Sequence, residues 1–144
     1  DLNAHSKYLT TVGIDYGEIS LEDGTKIGLY GTPGQDRFDF MWSIVCKGAM
    51  GIVVLIDHSN LNRLKDLEFY LDAFQGHCGN IVVGVTHLDE DDHQLLKIYS
   101  DWMAVNQRQH PLFAIDAREK DDVLLMIETL IASLEVQSAL AAIE

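Results

Sequence analysis

The chain has 144 residues, a length that suits one domain, and 47% of them are apolar, which is enough for an ordinary globular core. Ten basic residues against 23 acidic ones give a formal net charge of −13. A field of that sign repels nucleic acid and anionic lipid, so neither is an expected partner. No uninterrupted apolar run of about 18 residues is present, and we therefore predict no membrane span. Two cysteines without a CxxC spacing are typical of free thiols in a reducing cytoplasm.

The first predicted elements form an antiparallel hairpin. Residues 14–21 and 26–30 are two short strand-like runs, and the Glu-Asp-Gly-Thr sequence at 22–25 between them is typical of a turn. A helix-compatible run follows at 38–47, and Gly48 is its expected end.

Short apolar strands alternate with amphipathic helices in the rest of the chain. Continuous apolar runs at 51–56 and 81–85 indicate strands covered on both faces, as parallel strands are, and a shorter strand is predicted at 112–115. Apolar residues at spacings of three and four predict three helices, marked by Leu61, Leu64, Leu67, Leu71 and Phe74, by Leu95, Ile98, Trp102 and Val105, and by Val123, Ile127, Leu130 and Leu134.

The order β-β-α-β-α-β-α-β-α predicts an α/β fold, in which a mostly parallel sheet carries helices on both faces. In such sheets ligands bind beyond the carboxyl ends of the strands. The loops that follow the predicted strands are therefore the candidate binding segments: 31–35, 57–60, 86–89 and 116–118.

The loop at 31–35, with the sequence GTPGQ, suits a phosphate and a water. Gly34 lets a backbone N–H approach an anion without a side chain in the way. The amide of Gln35 can both donate a hydrogen bond to a water and accept one from it.

These residues carry a resemblance to a known family. TVGIDY at 11–16 followed by GTPGQDRF at 31–38 resembles the switch I to switch II stretch of Ras-like small GTPases, and THLD at 86–89 is similar to their base-recognition motif. Asp116, Ala117 and Arg118 stand where the family has its last base-contacting loop. The TPGQ form is similar to that of bacterial Mgl-type polarity GTPases and predicted bacterial small GTPases. The resemblance implies a three-layer P-loop-NTPase-like fold, with GTP or GDP as ligand and Mg²⁺ as cofactor.

The resemblance also implies a role for each matching residue near the phosphates. Thr11 would contact Mg²⁺ and the terminal phosphate, Gly34 would donate its N–H to the γ-phosphate, and Gln35 would orient the attacking water. Taken alone, Thr11 is equally an ordinary start of a strand, Gly34 a turn glycine and Gln35 a polar residue at the start of a helix.

The implied base-binding residues follow the later strands. Asp89 would accept hydrogen bonds from N1–H and the exocyclic amine of guanine, although it could instead cap the following helix. Thr86 is an accepted variant of the family motif, whereas His87 replaces a lysine and would cover the purine with its ring. Ala117, in the loop that begins at Asp116, would present its backbone N–H to the base oxygen.

Two departures from the family bear on mechanism. Gly31 stands where many members have an aspartate that holds Mg²⁺, and no GxxxxGK[ST] phosphate loop occurs in the sequence. In the family that loop precedes switch I, together with the first strand and first helix. We therefore expect a strand, a phosphate loop and a helix before Asp1 in the natural protein. Residues 1–137 would then be a single G domain lacking its beginning, and 138–144 a helix extension or tail.

Two functions remain open from the sequence. The first is a cytoplasmic GTP-binding switch that hydrolyses GTP slowly and is completed by a regulatory partner, for which the resemblance implies a roadblock-type activator. The second is a non-catalytic pseudo-GTPase interaction module that lacks a phosphate loop. A flavodoxin-like or receiver-like domain would explain the layers but not the combination of TPGQ with THLD.

Overall fold

The computed structural model describes three segments of the chain: 15–31, 46–89 and 94–143. The predicted site residues Thr11, Gly34 and Gln35 lie outside these segments. The helix predicted at 38–47 also lies outside them, except that residues 46 and 47 form a turn with Gly48. The described strands and helices are β1 Asp15–Ser20, β2 Lys26–Gly31, β3 Ile52–Asp57, α1 Arg63–Gln75, β4 Ile81–Thr86, α2 Leu96–Val105, β5 Leu112–Ala114 and α3 Lys120–Ile143.

The predicted hairpin is confirmed. Strands β1 and β2 pair antiparallel, with Ile19 opposite Ile27. The turn between them closes through the N–H of Thr25, which donates to Oδ1 of Asp23 at 2.9 Å, and through Gly24, whose φ of +88° favours glycine. This hairpin belongs to a compact unit that ends at Gly48, and the remaining described residues belong to a second compact unit.

The second unit contains a parallel three-stranded sheet in the order β3-β4-β5. Strand β4 is central and all six of its residues are buried, as its continuous apolar sequence predicts. Helices connect the strands, because parallel neighbours need a crossover. The protein therefore has the predicted α/β fold, consistent with a P-loop-NTPase-like architecture.

Helices α1, α2 and α3 contribute fully or nearly fully buried side chains to the second unit. Leu67, Leu71 and Tyr99 are completely buried, and Met126 and Leu130 of α3 form a cluster with Val82 and Ile115. Burying one large apolar side chain contributes about 1.5–3 kcal/mol, so these contacts hold the helices to the sheet.

Two residues predicted for the apolar helix faces are exposed instead. Leu61 is 92% exposed and Val105 is 82% exposed. Helix α1 begins only at Arg63, and Val105 is the last residue of α2. Neither side chain therefore lies on a part of a helix that covers the sheet, and the prediction was wrong for both.

Helix α3 is longer than its packing requires. The segment Lys120–Ala142 contains an 18-residue stretch with a mean hydropathy of 1.6 and could cross a membrane by length and composition alone, although polar residues interrupt its apolar run. Its first half packs into the core through Met126, Ile127 and Leu130. Its second half is largely exposed, and includes Val136 and Leu140 at 59% and 58%.

Gly84 of β4 offers a test of how tightly this core is packed. A Cβ at this position would lie 2.8 Å from Sδ of Met126, 3.1 Å from Leu55 and 3.2 Å from Ile115. We expect Gly84→Ala to lower the free energy of unfolding by about 1–2 kcal/mol, because those flexible side chains must shift. The control is Gly79→Ala, whose Cβ would meet no atom within 4 Å. Equal midpoints for both variants in urea unfolding would contradict this packing.

Candidate functional site

The carboxyl ends of β3, β4 and β5 lie at one edge of the parallel sheet. Asp57, the last residue of β3, is in register with Thr86, the last residue of β4, and Ala114 ends β5 opposite Val85. The loops 57–60, 86–89 and 116–118, three of the four predicted binding segments, therefore begin side by side. The fourth segment, 31–35, lies outside the described residues apart from Gly31.

His87 connects two of these strand ends. Its Nδ1 lies 3.0 Å from Oδ1 of Asp57 and 2.8 Å from Oγ1 of Thr86. The Thr86 hydroxyl is 3.4 Å from the carbonyl of Ile56, to which it donates. Two oxygens thus lie close to Nδ1, and the direction of its hydrogen bond with the Thr86 hydroxyl depends on the tautomer of the ring.

The backbone of His87 is left-handed, with φ of +64°. This region is uncommon for residues that carry a Cβ. The side chain is 64% exposed, so burial does not explain the conformation. The ring contacts described for His87 are a hydrogen bond of Nδ1 with Thr86 and a 3.0 Å approach of Nδ1 to the carboxylate of Asp57.

Asp57 is fixed by its own loop before it meets His87. Its Oδ1 accepts hydrogen bonds from Oγ of Ser59 at 2.6 Å and from the N–H of Ser59 at 2.9 Å. These bonds, with a smaller contribution from His87 and His58, lower the pKa of Asp57 below its ordinary value. The carboxylate is therefore ionised at neutral pH.

His58 anchors the loop after β3 to helix α2. Its Nδ1 lies 2.6 Å from the hydroxyl of Tyr99, and the two rings meet edge to face at 5.7 Å. Burial raises the pKa of Tyr99, so the phenol keeps its proton and can donate it to this bond. The loop is thus held at both Asp57 and His58.

Asp116 accepts several hydrogen bonds from Arg118 in the loop after β5. Its Oδ1 accepts from the N–H of Arg118 at 2.9 Å and from Nε at 3.0 Å, and its Oδ2 lies 2.9 Å from the guanidinium. These contacts, led by the side-chain hydrogen bond, lower the pKa of Asp116 to about 2, and His87 contributes electrostatically. Ala117 between them is exposed.

Asp89 is exposed, two residues beyond His87. Asp89 does not cap α2, whose N-cap is Leu95, six residues further along the chain, but residues 90–93 lie outside the described part and the alternative role of Asp89 as a helix cap stays a prediction. Within the described part of the chain, no hydrogen bond or ion pair is assigned to Asp89.

The structure brings together Thr86 and His87, which touch each other, and places Asp116 and Ala117 in the loop that follows the neighbouring strand. It adds Asp57, which begins the predicted binding segment 57–60 but to which the sequence assigns no role of its own. The signal that could have found Asp57 is its position at the carboxyl end of a strand in register with Thr86.

The chain matches a known family over nearly its whole length. The profile of the family described as "conserved hypothetical ATP binding protein" matches residues 1–139. The chain belongs to this family.

Several known proteins are similar to this chain in sequence. Rab-27A of Sus scrofa, a Ras-related protein, is 28% identical over an alignment of 144 positions that covers 88% of this chain and 65% of that protein. Rab-8B of Bos taurus is 30% identical over 81 residues, which cover 54% of this chain and 39% of that protein. The uncharacterized protein MJ1339 of Methanocaldococcus jannaschii is 45% identical over 58 residues, which cover 40% of this chain and 37% of that protein. The chain thus spans 65% or less of the length of these relatives.

These matches confirm the coarse part of the predicted resemblance, a relation to Ras-like, P-loop GTPases. The finer resemblance to bacterial Mgl-type GTPases stays a prediction. The roles assigned to Thr11, Gly34, Gln35, Thr86, His87, Asp89, Asp116 and Ala117 also stay predictions.

The predicted Mg²⁺ has no ligand set in the described residues of this family member. Among them, no group of three or more His, Cys, Asp or Glu side chains could hold a metal ion. The only protein ligand predicted for Mg²⁺ is Thr11, which lies outside those residues.

The low pKa of Asp116 predicts a pH dependence of stability. Because the folded pKa, about 2, lies below the ordinary 3.8, the contribution of this carboxylate is complete above pH 3.8 and is lost as the pH falls towards 2. We expect thermal midpoints of Asp116→Asn to fall less steeply between these pH values than those of the wild type. Asp101→Asn, which removes an exposed carboxylate paired with Lys97, is the control. Parallel profiles for Asp116→Asn and wild type would contradict the assignment.

Proposed function

We propose that the protein is a GTP-binding switch that hydrolyses GTP slowly, with the guanine base bound at the carboxyl edge of the β3-β4-β5 sheet. One observation carries this proposal. The loops after β4 and β5 leave the same edge of a parallel sheet, and Asp89 in the first of them is exposed and does not cap α2. Ligands of open α/β sheets bind at this edge.

The chemistry of the edge favours guanine among the purines. The two oxygens of Asp89 can accept hydrogen bonds from N1–H and the exocyclic amine of guanine, whereas adenine offers no matching pair of donors. The exposed ring of His87 supplies a flat surface for the base, and the exposed Ala117 a backbone N–H for its oxygen. The family description speaks of ATP, so the preferred purine is the point to measure.

The residues proposed to contact the phosphates are assigned from the sequence and from its similarity to proteins named as Ras-related. Thr11 and Gly34 are assigned to the terminal phosphate, and Gln35 to the attacking water. No arginine is assigned to the transition state, so hydrolysis is expected to be slow until a regulatory protein such as a roadblock-type activator supplies one. The two cysteines without a framework spacing support a cytoplasmic location.

The test is a calorimetric titration of the purified protein with GDP, GTP and ADP, each with and without Mg²⁺. We expect guanine nucleotides to bind at micromolar concentrations or below, and ADP to bind at least about 10-fold more weakly, because Asp89 finds no donor pair on adenine. A preference for ADP would overturn the assignment of the base. Failure to bind any of the three would overturn the switch.

A second candidate, the non-catalytic interaction module, is favoured by a different observation. Val136 and Leu140 are exposed on the second half of α3, which extends beyond the part that packs on the sheet. Such a helix offers apolar surface to a partner. This function would follow if the titration shows no nucleotide binding.

A further inference from the structure

We propose that Asp57 is a positioning residue for base recognition: through Nδ1 of His87, its carboxylate fixes the start of the loop that carries Asp89. This inference rests on the proposed function, since it adds a residue to the same site. Asp57 would not touch the nucleotide. It would act on the base through the loop after β4.

The carboxylate of Asp57 is oriented before any ligand is present. Both hydrogen bonds from Ser59 end on Oδ1, the same oxygen that lies 3.0 Å from Nδ1 of His87. Asp57 is also the last residue of β3 and is in register with Thr86, so the sheet fixes its backbone relative to the end of β4. A side chain whose position is fixed by its own loop and by the sheet can in turn fix the position of a neighbouring side chain.

His87 is the point at which the chain leaves β4. Its φ of +64° turns the backbone away from the strand direction immediately before Leu88 and Asp89. A residue with a Cβ takes this conformation only at an energetic cost, which other contacts must offset. The hydrogen bond of the ring to Thr86 and its 3.0 Å approach to the carboxylate of Asp57 are contacts that can offset this cost, and we infer that the path of the loop towards Asp89 depends on them.

Of the two carboxylates near His87, Asp57 is the one that holds the ring. Both carboxylates interact electrostatically with His87, but the oxygens of Asp116 are taken by the three contacts with Arg118. Asp57 lies within hydrogen-bond distance of Nδ1. Besides His87, the titratable groups that interact with Asp57 among the described residues are His58 and Tyr99, which are bound to each other.

The experiment compares purine discrimination, because a loss of general stability would weaken all nucleotides alike. GDP and ADP are titrated into the wild type, Asp57→Asn and Asp57→Ala. We expect Asp57→Ala to weaken GDP about threefold to fivefold and to leave ADP nearly unchanged, the size expected for the loss of one exposed polar contact. Asp57→Asn keeps an acceptor oxygen but loses the charge, so its effect should be smaller, about twofold. Asp101→Asn, whose carboxylate pairs with Lys97 on an exposed face of α2, is the matched control and should leave the ratio unchanged.

Every outcome of these titrations either supports the role of Asp57 or overturns it. An unchanged ratio of GDP to ADP affinity in both Asp57 variants would overturn the inference while leaving the nucleotide switch intact. An equal loss for both nucleotides would also overturn it, and would make Asp57 a structural residue. Should Asp57→Ala fail to fold, the near-isosteric Asp57→Asn gives the same test. Failure of the wild type to bind either nucleotide would overturn the proposed function and this inference together.

Discussion

Replacing Asp89 with asparagine should weaken GDP binding by roughly 10²-fold, because the guanine donors lose a charged acceptor. Asparagine presents one acceptor and one donor group in place of two acceptors. The new amide therefore faces the exocyclic amine of guanine with like polarity. Xanthine has an oxygen at that place, so XDP should bind Asp89→Asn more tightly than it binds the wild type.

Calorimetric titration of both nucleotides into both proteins measures this exchange of specificity. Asp101→Asn again serves as the control, since it removes one negative charge from an exposed pair far along α2. The opposite changes for GDP and XDP distinguish a base contact from a loss of stability. Identical GDP affinities for Asp89→Asn and the wild type would make Asp89 an ordinary exposed loop residue.

The second large effect concerns hydrolysis. Gln35→Leu should lower the single-turnover rate of GTP hydrolysis by roughly 10²-fold, because leucine can neither donate to nor accept from the attacking water. The affinity for GDP should stay within about twofold, since the proposed role of Gln35 begins only when the water is placed. Rapid quench of GTP bound to the protein gives the rate.

The control for this substitution is Gln137→Leu, the same chemical change at an exposed position of α3. It should leave the rate unchanged. A wild-type rate in Gln35→Leu would mean that another group positions the water. A parallel loss of GDP affinity would instead assign Gln35 to binding.

Much of the fold could be predicted because its signals are local. The hairpin turn with Gly24, the continuous apolar run of β4 and the apolar spacing of α1 each depend on neighbouring residues, and all three are present. The errors lie at the ends of helices. Leu61 and Val105 fit the spacing, but the spacing cannot tell where a helix begins or stops covering the sheet.

The candidate site could be predicted only in part, because its central contact is not local. Asp57 and His87 are 30 positions apart and meet only because β3 and β4 pair with Asp57 opposite Thr86. The sequence placed both residues in candidate loops by the rule for parallel sheets. It could not provide the register that brings Nδ1 of His87 to the carboxylate, or the left-handed backbone that follows.

The position of the nucleotide can be measured directly by recording backbone amide NMR shifts of the purified protein as GDP is added. Binding at the carboxyl edge predicts the largest changes at 86–89 and 116–118, with residues 132–140 of α3 unaffected. The contrasting location is an open cleft of about 420 Å³ whose lining includes Arg108, His110 and Leu112, the residue at which β5 begins. Changes confined to that cleft or to α3, with the amides of 86–89 unmoved, would contradict a nucleotide site at the carboxyl edge.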